Sequence, residues 1–366
     1  MRSSRRLAWF AVAGLSLLLA AMTLAPWVAS GAGPQKAGEQ YKNVQVLKDA
    51  PADQFIPAMQ FISASLGVGC DHCHVPGAFD KDDKKAKQTA RVMMQMMFSI
   101  NQANFGGERK VTCYSCHHGG AEPVSVPIIE QAASTPATQP AGAATELPSA
   151  DKLVEKYLAA LGGNDALAKN SARIAKGKAV LFGGRQFPLE IVFKSPDKAV
   201  SVTHLPDGDM ASGYNGHGGW QATPGRPLRD LSAAELDAAR LDSDFYLSHH
   251  LKDLFSGLQT SGVDNLAGHP AYAVVGKREG SPGTKLYFDQ ESGLLVRLVR
   301  FEETPLGLNP VQTDFSDYRD VNGVKVPYQV STSRPGRRLE IQIDQVEQNV
   351  AIDDSKFDKP AQPAPK

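Results

Sequence analysis

The sequence is poor in cysteine and has no excess of charge of either sign. All four cysteines among its 366 residues lie in two copies of one short pattern, so none is left for a disulfide or a catalytic thiol elsewhere. The 39 basic and 39 acidic residues cancel, so no basic field indicates a nucleic-acid partner. The sequence also has no nucleophile elbow, phosphate-binding loop or HExxH zinc motif. These absences leave the two cysteine patterns as the main chemical signal.

Both patterns are CxxCH, the attachment signature of c-type haem, and they run from Cys70 to His74 and from Cys113 to His117. In such a site two thiols bond the vinyl-derived carbons of one porphyrin edge, and the adjacent histidine lies under the ring as the proximal iron ligand. We therefore expect two haem c groups. Their attachment residues are Cys70, Cys73, Cys113 and Cys116, and their proximal ligands are His74 and His117.

Paired cysteines also occur in zinc sites, in redox-active dithiols and in disulfide frameworks. A zinc site does not need a histidine directly after the second cysteine, and a dithiol motif does not need that histidine twice. We favour haem over zinc, and zinc over a disulfide framework.

The N-terminus predicts export. Arg2, Arg5 and Arg6 precede an apolar run that ends near Pro26, and small residues suited to signal-peptidase cleavage follow. We assign residues 1–32 to a signal peptide and expect a periplasmic protein, because bacterial c-type cytochromes receive haem outside the cytoplasmic membrane. The apolar run approaches the roughly 20 residues that span a bilayer. Membrane association through an uncleaved N-terminus therefore stays open.

A linker is predicted between two domains. Residues 129–148 are rich in Ala, Thr and Pro and carry almost no charge, a composition that cannot bury enough surface to order itself. All four cysteines precede this stretch. We therefore expect a mainly α-helical dihaem cytochrome c domain over residues 40–128 and a second domain over residues 149–360.

A helix is predicted before the first haem motif. Helical spacing runs over residues 51–66, with Pro57 inside it as a start or a kink and Gly67 as a stop. Met59 lies eleven residues before Cys70, and the turn between them brings its thioether to the iron face opposite the proximal histidine. Met/His ligation raises the reduction potential relative to bis-histidine ligation. A core methionine is the alternative role.

A second helix, predicted over residues 87–104, contains four methionines between Met93 and Met97. Successive helical residues point about 100° apart, so at most one of these methionines ligates iron and the others pack on a porphyrin. The lysines from Lys81 to Lys87 alternate with aspartates and are interpreted as a solvated loop.

Several stretches of this region resemble the cytochrome c subunit of bacterial photosynthetic reaction centres. They are LGVGC at 66–70, His74-Val75, ARVMMQM at 90–96, Ile100-Asn101 and VTCYSCHHG at 111–119. That family is typically a tetrahaem protein built from two repeats, and this chain resembles one repeat from about Val44 to Pro123. The resemblance implies that the sixth iron ligands are Met59 for the first haem and Met93, the first methionine of the ARxMxxM motif, for the second.

The chain also departs from this family. It has two haem motifs rather than four, and the histidine that the family uses for a bis-histidine haem has no counterpart between Asn101 and Thr112. Both haems are therefore expected to be Met/His-ligated. In the family the subunit re-reduces the photo-oxidised bacteriochlorophyll pair. The resemblance implies two partners, namely a membrane redox complex, photosynthetic or respiratory, and a donor electron carrier.

The region after residue 148 predicts a meandering antiparallel sheet with helices on one side. An amphipathic helix ends at Gly162-Gly163, and residues 231–254 show helical periodicity with a Ser232 N-cap. Alternating strands are predicted at residues 178–182, 189–194, 199–204, 271–276, 285–289, 294–301, 326–331 and 339–346. This order resembles, at the level of the fold, the half-barrel of periplasmic carriers of the outer-membrane lipoprotein-sorting type. The expected class is a two-domain protein with a helical cytochrome half and an antiparallel α+β half.

The sequence favours an electron carrier over an enzyme, because two methionine ligands leave no open iron position. A dihaem peroxidase is one alternative, and it would require a displaceable iron ligand. A lipid-binding or lipoprotein-binding protein with accessory haems is the other, and it would hold acyl chains in the concave face of the sheet.

Overall fold

The computed structural model describes residues 35–123 and 147–361, apart from 182, 244–246, 267, 279–280 and 336. The described residues all lie in one compact unit, Gln35–Lys366. The expected signal peptide and nearly all of the expected linker therefore lie outside the described residues. Within the described ranges, no helix is both long and apolar enough to cross a bilayer.

Residues 35–123 form helices joined by tight loops. The helices are α1 Ala37–Gln40, α2 Ala52–Leu66, α3 Lys85–Phe105 and α4 Cys113–His117, with a 3₁₀ turn at Cys70–His72. Helix α2 begins before Pro57 and runs through it. Both long helices end at a glycine in the left-handed conformation, Gly67 (φ 65°) after α2 and Gly106 (φ 60°) after α3. The two predicted helices are thus present, with the predicted stop at Gly67.

The described residues after 147 include one antiparallel sheet of thirteen strands. The strands are β1 Ala172–Leu181, β2 Arg185–Lys194, β3 Lys198–Leu205, β4 Gly208–Asn215, β5 Gly219–Ala222, β6 Arg229–Asp230, β7 Gly257–Leu266, β8 His269–Arg278, β9 Ser281–Asp289, β10 Leu295–Thr304, β11 Gly307–Val321, β12 Val324–Arg334 and β13 Arg337–Gln348. Each strand pairs with its neighbours in sequence, except that β6 and β7 are the two edges and β1 pairs with β13. The antiparallel sheet and its eight predicted strands are confirmed, while the sequence pattern misses β4 to β7 and β11.

Helices pack against one face of this sheet. They are α5 Ala150–Leu161, α6 Asn164–Ala168, α7 Ala233–Ser243 and α8 Leu247–Leu254. Val274 and Leu286 lie in an apolar cluster with buried residues of these helices. Ala273 and Tyr287, one position along on the same strands, lie in a separate cluster on the opposite face. The predicted N-cap Ser232 accepts a hydrogen bond from a backbone N–H in the first turn of α7.

The tip of one hairpin joins the sheet to the helical region. Strands β10 and β11 pair from Thr304 and Gly307 outward, and both strands contact α2. Leu306, in the turn between them, is fully buried among residues of α2 and α3.

Candidate haem-binding sites

The first CxxCH motif opens onto a cavity beside α2 and α3. Cys70, Cys73 and His74 line it together with Met59, so the structure brings these four predicted site residues around one space. The empty space is about 750 Å³, which includes solvent at its open side. The other walls are mainly apolar and include Val44, Val46, Leu47, Phe55, Ile62, Val68 and Met94.

The histidine of the first motif, the expected proximal ligand, is held in one orientation. His74 Nδ1 lies 2.9 Å from the carbonyl oxygen of Phe79. A carbonyl oxygen can only accept a hydrogen bond, so Nδ1 carries the ring proton and donates it. The lone pair of Nε2 is then available to a metal, which is the arrangement that iron-ligating imidazoles use.

A buried lysine fixes the carbonyl group that orients His74. Lys87 Nζ donates to the carbonyl oxygens of three consecutive loop residues, Phe79 to Lys81, at 2.9, 3.1 and 2.7 Å. Its side chain is only 11 % exposed. The interpretation of this lysine-rich stretch as a solvated loop is therefore wrong for Lys87, which lies in the first turn of α3 and closes the loop beneath it. Its spacing of four residues from Arg91, on one face of α3, is the signal in the sequence that could have found it.

An ion-pair network forms one edge of the first cavity. Asp82 accepts two hydrogen bonds from the guanidinium of Arg91, both 2.9 Å long, and lies 3.0 Å from Lys87 Nζ. Hydrogen bonds from Arg91, Lys87 and Asn43 hold the pKa of the Asp82 carboxyl well below its usual range. Because Lys87 and Arg91 also line the cavity, an otherwise apolar space has a cationic edge.

The second CxxCH motif forms helix α4 itself. The backbone N–H of Thr112 donates to Ser115 Oγ at 3.0 Å, as in a capping box. His117 Nδ1 lies 3.0 Å from the carbonyl oxygen of Gly120, so Nδ1 again donates and the Nε2 lone pair is available to a metal. The exposed His118 instead places Nε2 3.0 Å from the carbonyl oxygen of Ser115. The two proximal histidines therefore share an arrangement that their neighbour lacks.

A close approach of two glycines brings the motifs together. Gly119 N donates to the carbonyl oxygen of Ser65 at 2.9 Å, and a side-chain carbon at Gly67 would lie 2.0 Å from the Gly119 oxygen. Position 67 therefore requires glycine both for its left-handed backbone and for this contact. The turn before the first motif consequently packs on the turn after the second.

Asn101 fixes the loop that leads from α3 to the second motif. The residue is 3 % exposed. Its Nδ2 donates to the carbonyl oxygen of Val111 at 2.7 Å, and its Oδ1 accepts from the backbone N–H groups of Lys110 and Val111 at 3.1 and 2.9 Å. One side chain thus ties the backbone just before Cys113 to the helix that carries Met93.

The methionines of α3 divide between two sides of the helix. Met94 and Met97 are 8 % and 5 % exposed, and Met94 lines the first cavity. Met93 and Met96 are 37 % and 48 % exposed and lie outside that cavity. The structure therefore brings two thioethers, from Met59 and Met94, to the first motif. It leaves Met93, the expected ligand of the second iron, on the exposed side of α3.

Exposed large apolar side chains concentrate in residues 35–123. Of the nine among the described residues, seven lie there, although this range is less than a third of the described chain: Ile56, Phe79, Val92, Met93, Met96, Phe105 and Tyr114. Val92 and Met96 are one turn apart on α3, with Met93 between them. Grouped apolar surface usually marks a binding site. The distribution therefore fits a region that is completed by flat apolar groups such as porphyrins.

All four cysteines are free thiols in the unmodified chain. Burial raises the pKa of the Cys73 and Cys113 thiols, so both are protonated at neutral pH. Across the described ranges, no three His, Cys, Asp or Glu side chains form a group that could hold a metal ion.

Comparison with known proteins finds the family that the haem motifs indicate. Residues 18–164 match the family model of the photosynthetic reaction centre cytochrome c subunit. The chain is 39 % identical over 99 residues to that subunit from Thermochromatium tepidum, and the aligned segment covers 26 % of this chain and 24 % of the relative. It is 33 % identical over 155 residues to the subunit from Roseobacter denitrificans, and this aligned segment covers 37 % of this chain and 41 % of the relative. The predicted resemblance is confirmed, over a segment that spans less than half of either relative's length.

Among solved structures, the chain is similar to a putative outer membrane lipoprotein-sorting protein domain from Vibrio parahaemolyticus. The alignment covers 56 % of this chain and 97 % of that domain, at 12 % sequence identity and a TM-score of 0.41.

Proposed function

We propose that this chain is an exported electron carrier, not an enzyme, with two covalent haem c groups that are each ligated by one histidine and one methionine. The observation that carries the proposal is the shared geometry of the two CxxCH motifs. In both, the histidine after the second cysteine donates from Nδ1 to a backbone carbonyl oxygen, which leaves Nε2 for iron. The similarity of residues 18–164 to a cytochrome c family supports the same conclusion.

At the first site the cavity residues would bind and orient one haem. Cys70 and Cys73 would hold one porphyrin edge, and His74 and Met59 would supply the axial ligands. The apolar walls would exclude water from the haem. The haem itself supplies one-electron chemistry, and methionine ligation sets its potential above that of a bis-histidine haem.

At the second site the thiols of Cys113 and Cys116 would hold the other haem, with His117 as the proximal ligand. We propose Met93 as its sixth ligand, because the buried position of Met94 at the first cavity leaves Met93 as the more accessible thioether that the family motif indicates. Val92 and Met96 would pack on this porphyrin, which would cover side chains that are otherwise exposed.

The proposed partners are a membrane redox complex as electron acceptor, either a photosynthetic reaction centre or a respiratory complex, and a second carrier as electron donor. The names of the related proteins support the first of these. The proposed location is the periplasm, with residues 1–32 as the export signal and membrane association if this segment is retained. A mainly helical dihaem domain, a linker at 129–148 and a sheet domain whose β10–β11 tip packs on the helical domain complete the proposed organisation.

The experiment is to produce the full-length chain in a host that attaches haem c and to mix the oxidised protein with cyanide or peroxide at neutral pH. We expect two haems per chain by intact mass, both low-spin, with slow cyanide binding and no peroxide turnover. Met59→Ala serves as a matched control because it opens one iron position and should bind cyanide quickly. Rapid conversion of the unaltered protein to a high-spin or cyanide-bound state would contradict an electron carrier.

A further inference from the structure

The tip of the β10–β11 hairpin is a buried turn that is fixed by its own hydrogen bonds. Thr304 Oγ1 donates to the carbonyl oxygen of Gly307 at 2.7 Å. Thr304 Oγ1 in turn accepts from the backbone N–H groups of Leu306 and Gly307 at 3.2 and 3.1 Å. Thr304 and Leu306 are both 0 % exposed. These hydrogen bonds within the turn thus fix the conformation of the apolar tip.

This tip packs into the helical region rather than into the core of its own sheet. Leu306 shares an apolar cluster with side chains from the loop before α2, from α2 and from α3, namely Leu47, Ala58, Phe61, Met94 and Met97. Met59 packs against the same cluster from its edge. A residue of the sheet region therefore completes the protein core next to the first haem motif.

Two further contacts tie the hairpin to α2. A side-chain carbon at Gly307 would lie 2.6 Å from the ring of Phe61, so only glycine lets the strand approach this closely. Asn309 is 1 % exposed, and its Nδ2 donates to the carbonyl oxygen of Pro57 at 2.7 Å. The hairpin therefore holds α2 through both apolar and polar groups.

These contacts lie on the side of α2 that faces away from the cavity. Pro57 and Phe61 lie two residues before and two residues after Met59, and two residues along a helix correspond to a turn of about 200°. The Phe61 ring therefore points nearly opposite Met59, which lines the cavity with Phe55 and Ile62, while Pro57 contributes its backbone carbonyl group to the contact with the hairpin. Helix α2 is held between the cavity on one side and the hairpin tip on the other.

We propose that the β10–β11 hairpin positions Met59 for the first haem by supporting α2 from behind. Leu306 and Asn309 are positioning residues in this proposal, since neither lines the cavity. The sheet region would then contribute to haem ligation directly, because the methionine stays on iron only while its helix stays in place. The inference rests on the proposed function, since it presupposes a haem at Cys70 and Cys73.

The hairpin also touches the loop before the second motif, through a weaker contact. Arg109 donates to the carbonyl oxygen of Thr304 and lies 3.6 Å from the carboxylate of Glu303. The two charged side chains are 36 % and 57 % exposed, so solvent screens this pair. Loss of the tip should therefore affect the first haem more than the second.

The test uses full-length protein with both haems and compares Leu306→Ala with the unaltered chain. The first readout is the rate at which imidazole displaces methionine from the oxidised haems. The second is the ring-current-shifted methyl signal of each axial methionine in the reduced protein, assigned with Met59→Leu and Met93→Leu. We expect imidazole binding at the first haem to accelerate at least about tenfold, which corresponds to about 1.4 kcal/mol. The Met59 methyl signal should broaden, while the second haem changes little.

Two control variants separate positioning from general loss of stability. Leu308→Ala truncates the same residue type on the same hairpin, at a side chain that is 42 % exposed. Leu286→Ala truncates a fully buried leucine in the core between sheet and helices, away from the helical region. We expect both to keep the imidazole rate of the unaltered protein, although Leu286→Ala should unfold at lower temperature.

If Leu306→Ala does not fold, Asn309→Ala tests the same proposal, because it removes the hydrogen bond to Pro57 and keeps the apolar tip. A rise of about threefold in the imidazole rate at the first haem is expected there, which is about 0.7 kcal/mol. Rates and methyl signals that stay unchanged in every tip variant that folds would overturn the positioning role. Unaltered protein without a shifted methionine methyl signal would instead overturn the proposed ligation, before any hairpin variant is compared.

Discussion

The helical region and the sheet region complete their cores in different ways. The sheet region buries most of its apolar residues among its own strands and helices, and Leu306 at the hairpin tip is an exception. The helical region depends on loops held by single side chains such as Lys87 and Asn101, and it leaves most of the exposed large apolar side chains of the described chain around its two CxxCH motifs. This difference fits the proposal that the helical region is completed by haem, whereas the sheet region completes most of its core from its own sequence.

The largest expected effect comes from removing one haem. The double substitution Cys70→Ser with Cys73→Ser should reduce the intact mass by one haem, because no thiol remains to bond that porphyrin. Hydrogen exchange should then accelerate through α2 and the loop before α3, while β8 to β10 keep their protection. A helical region that remains as protected as in the dihaem protein would contradict the difference between the two regions.

A core truncation in the sheet region tests the same comparison through the stability of the sheet core. Phe288 is 1 % exposed and its ring lies 5.4 Å from that of Tyr157. Phe288→Ala should lower the free energy of unfolding by about 3–5 kcal/mol, the usual cost of removing a buried phenyl ring. Chemical denaturation followed by circular dichroism measures this loss. Both reduction potentials should stay at their original values, and a shift in either would show that the sheet core tunes the haems.

Replacing an axial methionine should change one potential and leave the fold intact. Met59→His and Met93→His should each lower the potential of one haem, on the order of 0.1 V within the ~0.8 V that axial ligands span. Spectroelectrochemical titration resolves the two haems. Each variant should also lose one of the two long-wavelength absorption bands that arise from sulfur bound to ferric iron.

Two neighbouring methionines control this experiment. Met96→His alters an exposed methionine of the same helix and should keep both long-wavelength bands, because it removes packing on the second porphyrin but no iron ligand. Met94→Leu conserves volume at a residue that lines the first cavity and should also keep both bands. Loss of a band in Met94→Leu would assign the first iron to Met94 instead of Met59.

The smallest expected effect concerns the ion-pair network at the first cavity. Because the folded pKa of Asp82 is depressed, its pairs with Arg91 and Lys87 stabilise the fold above the unfolded value of about 3.9. This contribution is lost as the pH falls through the lower folded value. Asp82→Asn should therefore lower the thermal midpoint at neutral pH by a few degrees at most, and the difference should vanish in acid. Asp83→Asn, at an exposed neighbour, should leave the thermal midpoint unchanged. A lower midpoint of Asp82→Asn that persists in acid would show that the ion pairs of Asp82 do not cause it.

The helices and haem motifs could be predicted because their signals are local. CxxCH spacing, the helical period of α2 and the glycine at position 67 all depend on residues within a few turns of each other. Some strands were harder to predict, since the sequences of β4, β7 and β11 are rich in Gly, Ser, Asn and Asp. These strands form because neighbouring strands offer them a ladder of hydrogen bonds, which no pattern within their own sequence reveals.

The site residues that the sequence missed depend on contacts between distant segments. Lys87 is a charged residue in a charged stretch, and only the folded loop shows that it is buried against three carbonyl groups. Leu306 lies in an ordinary-looking turn of the sheet region. The contact between Arg109 and Thr304 spans 195 residues, so composition and periodicity carry no trace of it.

The measurement that tests the central claim most directly is near-infrared magnetic circular dichroism of the fully oxidised full-length protein, combined with its intact mass. Iron ligated by histidine and methionine absorbs at a different near-infrared energy from iron ligated by two histidines or by histidine and water. The account predicts two haems per chain, with both near-infrared bands at the Met/His position. One haem per chain, or a band at the bis-histidine or high-spin position, would contradict it.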